Sequence, residues 1–152
     1  MRQNEQRPRE FVAQTEEEQL SRSVLIWLNT FPDIPAAVDT IHYETLSENL
    51  PDMALSTIQG AYITKRYILG GYQAEYPFKV IYRIKPGRSM DARLSADELL
   101  DRLGVWAGRN KPDLSPLRAL RMEPTAQSAL FAVYEDGFED HQILMKLTYE
   151  VI

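Results

Sequence analysis

Between residues 76 and 84, apolar side chains fall on every second position: Tyr76, Phe78, Val80, Tyr82 and Ile84. A period of two puts all five on one face of a strand. The other face carries Lys79, Arg83 and Lys85, interrupted by Ile81, and Pro86-Gly87 ends the run. A strand with one apolar and one charged face belongs to a sheet covered on one side only.

Just upstream stands Gly70-Gly71, preceded by the β-formers Tyr62, Ile63, Tyr67, Ile68 and Leu69. A glycine loop that cradles phosphate leads from a strand into a helix, often with a lysine and a serine or threonine. This pair leads into a second strand and lacks those residues. A tight hairpin needs positive φ at its centre, which Gly-Gly supplies at no steric cost. The stretch KRYILGGYQAEYPFKVIYRI is therefore expected to be a β-hairpin.

Two features of that hairpin point outward. Proline cannot donate to a ladder, so Pro77 predicts an edge strand or a bulge. Tyr62, Tyr67, Tyr72, Tyr76 and Tyr82 lie within 21 residues and on both faces. One reading is cross-strand packing plus a core face; the other is an exposed aromatic surface of the kind enriched at interfaces. On the second reading Tyr67, Gly70, Gly71, Tyr72 and Tyr76 are the candidate interface residues, beside a pairing edge.

The rest of the chain alternates strand and helix signals. Residues 1–14 read as a charged lead-in, a flexible or assembly arm with Phe11 and Val12 as its anchors. Thr15 opens a capping box with Glu18, and Leu20, Val24, Trp27 and Phe31 form one helical stripe before Pro32. A helix is expected over 15–31, its early glutamates favoured by the helix dipole. Weak strand patterns follow over 38–46 and 52–58, parted by a breaker at 47–51. A second helix is expected from Ser95, where S-A-D-E is again a capping box, or from as early as Met90, with Gly108 near its end. Leu99, Leu103 and Trp106 line one of its faces. A short strand is expected over 117–122. Asp136-Gly137 then turns a last hairpin between 129–134 and 142–151. These elements make an α+β fold: one domain over 1–152, with two helices packed on one face of a small antiparallel sheet and both tryptophans in the helix–sheet core.

Composition narrows the function. Hydrophobic residues make up 44% and charged residues 26%, as in an ordered globular protein. No apolar run approaches the roughly 18–20 residues that span a bilayer, and MRQNEQRPRE is not expected to be a secretory signal. The absence of cysteine excludes disulfides, thiolate metal sites and a cysteine nucleophile, and fits synthesis in the cytosol. The net charge is −5, and Arg83, Lys85 and Arg88 are the nearest approach to a basic cluster. That is too thin for a nucleic-acid footprint. His42 lies two residues from Glu44, and His141 is next to Asp140. A metal site needs further ligands that neither supplies, so both read as surface histidines. No serine sits in a nucleophile elbow. No catalytic, cofactor or metal residue is assigned.

Four stretches together resemble a known family. They are VLIWLNTFPDIP, YITKRYILGGYQAEYPFKVIYRI, LLDRLGVWAG and ALFAVYEDGFEDHQILMKLTYEVI. Their order is similar to that in the tail terminator and minor capsid proteins of tailed bacteriophages, of siphophage and prophage type. The resemblance implies a non-enzymatic virion protein without a cofactor. It would be assembled in the host cytoplasm as a ring, typically a hexamer, at the head–tail junction. Such a ring caps the head-proximal end of the tail tube, stops its growth and docks to the head. Its partners would be its own copies, the major tail tube protein and a head-completion or connector protein, with DNA passing through rather than being specifically bound. The arm over 1–14 has no match in the family pattern. A head–tail connector or head-completion protein, and a small ligand-binding domain, are the competing classes.

Overall fold

The computed structural model describes residues 8–152. Of the expected arm, residues 1–7 lie outside the described residues. In the remainder, β1 (Glu10–Phe11) pairs antiparallel with a later strand, and Val12 packs against the core. Helix α1 (Gln14–Leu28) starts one residue before Thr15 and carries no side-chain cap at Ala13. It stops at Leu28, where Asn29 closes it. Turn hydrogen bonds then carry the chain on, so Phe31 is still buried although it lies beyond the helix.

Strand β2 (Ile41–Tyr43) is shorter than the 38–46 pattern. Val38 is held in a turn by Pro35, and Glu44 takes a φ of 65° that ends the strand. Then come β3 (Asp52–Thr57), β4 (Tyr62–Arg66) and β5 (Tyr72–Ile84). Helix α2 (Met90–Arg109) begins at the earlier of its two expected starts, because the Ser89 hydroxyl accepts from the Ala92 amide at 3.0 Å. Ser95 and Gly108 both lie inside it. Strands β6 (Arg118–Pro124), β7 (Ala129–Val133) and β8 (Glu139–Val151) complete the chain.

Two helices and an eight-stranded, mostly antiparallel sheet make this an α+β fold. Strands β5 and β8, 13 residues each, pair along their whole length from Tyr72↔Val151 to Ile84↔Glu139. The far side of each is shared by two short strands in tandem. Beside β5, β4 covers Tyr72–Glu75 and β3 covers Phe78–Arg83. Beside β8, β6 covers Met145–Glu150 and β7 covers Glu139–Gln142. Outermost, β1 joins β4, and β2 joins β3 in the sheet's parallel pair.

This arrangement corrects the reading of Pro77. It lies in the central strand β5, not at an edge, and its partner on β8 is Lys146. On the other side it falls between Glu75, paired with β4, and Phe78, paired with β3. The ladder has a seam there, and a seam tolerates a missing amide proton.

The period-two face is the core face. Ala74, Tyr76, Phe78, Val80, Tyr82 and Ile84 are buried, as are Ile143, Met145, Leu147 and Tyr149 opposite them on β8. Leu20, Val24, Trp27 and Leu28 of α1 and Leu99, Leu100 and Leu103 of α2 cover that face. Each large apolar side chain so buried contributes about 1.5–3 kcal/mol. Trp27 and Trp106 stack at 4.8 Å between ring centres and join the two helices. Trp27 is buried in the core, whereas Trp106 is only partly covered.

Candidate assembly interface

The hairpin reading of Gly70-Gly71 holds. Gly70 and Gly71 take φ of 101° and 82°, the Tyr67 amide donates to the Gly71 carbonyl at 3.1 Å, and β5 follows directly. Gly71 is needed twice over. Besides its positive φ, a Cβ there would stand 2.2 Å from the Val151 carbonyl oxygen of β8. The turn therefore seats closely against the end of the neighbouring strand, leaving Ile68 and Leu69 at the tip, both 100% exposed.

The tyrosines divide differently from the expectation. Tyr76 is fully buried, its hydroxyl 2.8 Å from the Ser21 hydroxyl of α1, so it leaves the candidate surface and belongs to the core. Burial pushes its ionisation well above the usual phenol range. The Tyr72 hydroxyl donates to one oxygen of Glu16, and the buried Tyr149 donates to the other at 2.6 Å. Burial, reinforced by the Glu16 hydrogen bond, pushes Tyr72 up to about 12. Tyr67 donates to Glu150 at 2.7 Å, and Tyr62 donates to Glu75. The aromatic excess is thus answered largely by acceptors within the chain. The outward apolar surface at this end is Ile68-Leu69 together with Ile152, with Tyr67 and Tyr72 at its base.

The acids read as dipole partners turn out to be cross-links as well. Glu16 binds two strands, and Glu17 accepts the buried Ala61 amide at 2.6 Å just before β4. On sequence alone, an acid in a first helical turn looks the same whether it faces water or a strand.

The open face of the sheet is charged but internally balanced. Arg83 makes a two-pronged bond to Asp140 at 2.7 and 2.9 Å, which raises its already high pKa. The cations of Lys79, Arg83 and Lys85 lie over the rings of Phe131, Tyr134 and Phe138 at 4.4, 5.0 and 5.4 Å.

His141 is not a surface histidine. It is 1% exposed, with Nδ1 2.8 Å from Asp97 and Nε2 3.4 Å from Glu139. Arg93 forks onto Glu139 and, with the His141 contact, holds its carboxyl below the usual range. The arrangement ties β8 to α2. His42 is half-buried and 3.3 Å from Asp52. Among the described residues, no cluster of three or more His, Asp or Glu is placed to hold a metal ion.

A groove of about 560 Å³ lies between α2 and the end of β5, lined by Tyr82, Ile84, Pro86, Ala96 and Leu99. Asp33 and Arg102 on its wall face each other at 3.7 Å. The sequence reading missed a more prominent apolar surface on β7, where Leu130, Phe131 and Val133 are 48%, 49% and 64% exposed. The signal available was the run SALFAVY, which holds no charge and no proline.

No protein-family model matches the chain, and no curated protein matches its sequence. The fold does have a match among solved structures. One chain in the virion of a native gene transfer agent (GTA) particle superposes with a TM-score of 0.53 at 14% identity. The match covers 90% of this chain and 92% of that one. At this identity the likeness is one of fold.

Proposed function

We propose that the chain is a structural protein of a phage-like virion and acts as a tail terminator. Its copies join into a ring, a hexamer by the family resemblance. The ring caps the head-proximal end of the tail tube, stops tube growth and offers the head its docking surface. The observation that carries this reading is the fold shared, over nine-tenths of both chains, with a protein of a gene transfer agent virion. A ring needs a heterologous contact that closes on itself, one surface of each copy meeting a different surface of the next. The β4–β5 tip is the candidate protruding half of that contact, with Ile68 and Leu69 as the apolar anchors and Tyr67 and Tyr72 at its base.

On this reading the role is non-enzymatic. The partners are neighbouring copies, the tail tube protein on one side and a head-completion protein on the other. The test is the mass of the purified protein in solution together with negative-stain images. Rings of about six copies are the expected result, and Ile68→Asp with Leu69→Asp should abolish them without lowering the melting temperature. A monomer at every concentration, with no ring in the presence of tail tubes, overturns the proposal.

A further inference from the structure

A sheet edge presents unpaired amides and carbonyls, and proteins ordinarily blunt such edges with charge, proline, short length or a covering side chain. Among the described residues, three of the four outer strands follow that rule. Strand β1 is two residues long, and its Glu10 is ion-paired to Arg66. Strand β2 is three residues long, and the Asn29 side chain takes both the amide and the carbonyl of Ile41. Strand β6 carries Arg118, Arg121 and Glu123, ends at Pro124 and packs beside α2. Strand β7 breaks the rule. Among the described residues it pairs with β8 alone, and the stretch from Gln127 to Tyr134 that contains it holds no charged residue and no proline. Its apolar side chains are exposed on both faces, Leu130 and Val133 as well as Phe131. The one protective device is a bulge at Phe131.

We infer that β7 is a self-pairing edge, covered in solution by β7 of a second copy in an antiparallel ladder about a twofold axis. Two observations favour a copy of the same strand. An apolar, uncharged edge is matched by another of the same kind, and among the described residues no other edge of this chain qualifies. Charge then selects the direction. Glu135 and Asp136 are exposed just beyond the C-terminal end of β7. Parallel pairing would set two acidic turns side by side. Antiparallel pairing parts the two turns and sets each beside the Gln127-Ser128 start of the other strand, where the Asp101 carboxylate of α2 is already taken up by the Ser128 amide at 3.0 Å. The contact is independent of the ring reading, because the β4–β5 tip lies at the opposite end of β5 from the rows that β7 covers on β8. A five-residue ladder buries little area, so the pair is weak and is read at high concentration.

The chain has no cysteine, so single cysteines can be placed freely. Each of Leu130→Cys, Phe131→Cys, Ala132→Cys and Val133→Cys is oxidised mildly at about 100 μM protein, where weak pairs are populated. At least one should cross-link to itself roughly ten-fold faster than the exposed control Glu18→Cys, since a twofold ladder brings equivalent positions together. Val133→Lys should weaken the dimer at least about ten-fold, because a lysine on an apolar edge strand blocks edge-to-edge pairing. Its unchanged circular dichroism would show that it still folds. A monomer at that concentration, or cross-linking no faster than the control at all four positions, overturns the inference. So does capture of β7 by a different segment or a different protein. Rings that persist without β7 cross-links sink this inference and leave the tail-terminator reading standing. A β7 dimer that forms no rings does the reverse.

Discussion

The two flanks of the sheet are built on one plan and finished in opposite ways. Each consists of a 13-residue strand bordered by two short strands in tandem. On the β5 flank, side chains close what the backbone leaves open. Asn29 takes both polar groups of Ile41, Glu17 takes the Ala61 amide, and Glu44 accepts from Ser56 and Thr57. On the β8 flank, β6 has charge, a proline and α2 beside it, but β7 has only its bulge at Phe131. Edge protection here is a local property, set by the few residues that reach a given strand. Stability and association should therefore respond to different substitutions.

The largest effect is expected at Asn29, because Asn29→Ala strands an amide and a carbonyl together. Urea denaturation should show a loss of about 2–4 kcal/mol. A loss below about 0.5 kcal/mol, the range of unremarkable surface changes, would break the distinction between the flanks. Glu17→Ala should cost about 1–3 kcal/mol, since the buried Ala61 amide loses its acceptor. Hydrogen exchange sharpens that result: the Ala61 amide should lose protection well before those of β5.

The third effect is read as pH dependence. Tyr72 is pushed up to about 12, by burial first and then by Glu16. Its protonated form is favoured in the folded state, so its contribution is complete below about pH 10 and is lost as pH rises from there toward about 12. Tyr149, raised by burial and the same carboxylate, acts in the same direction. The melting temperature should fall along this alkaline limb, and Tyr72→Phe should make the fall shallower. An unchanged slope would show that the clamp on α1 does not depend on the phenol proton. The smallest effect on stability is expected on the bare flank. Val133→Lys should change unfolding free energy by no more than about 0.5 kcal/mol, as at other exposed sites. A larger loss would mean that β7 supports the fold rather than a partner.

Patterns confined to one element were legible in the sequence. The period of two in β5 and β8, the helical stripe Leu20–Val24–Trp27 and both glycine turns depend on neighbours along the chain, and all are present in the fold. What depends on tertiary placement was not legible. Pro77 reads as an edge residue because edges are where prolines usually sit, but two short partners in tandem create an interior seam. Tyr76 and Tyr72 look alike in the sequence, yet one faces Ser21 under α1 and the other reaches Glu16 at the helix start. His141 looked solvent-facing because its carboxylate partner Asp97 comes from α2, 44 positions away. The bare edge at β7 shows only once the other three edges are seen to be blocked.

The full-length pairing of β5 with β8 has a mechanical side. A strand of 13 residues extends roughly 43 Å, at about 3.3 Å per residue. A pull on the β4–β5 turn, opposed by a pull on the Glu139 end of β8, draws the two strands lengthwise past each other, so the ladder is loaded in shear. All its bonds then share the strain, whereas a ladder peeled from one end yields one bond at a time. A chain built this way can transmit a pull along its axis while the short flanking strands stay out of the path of force.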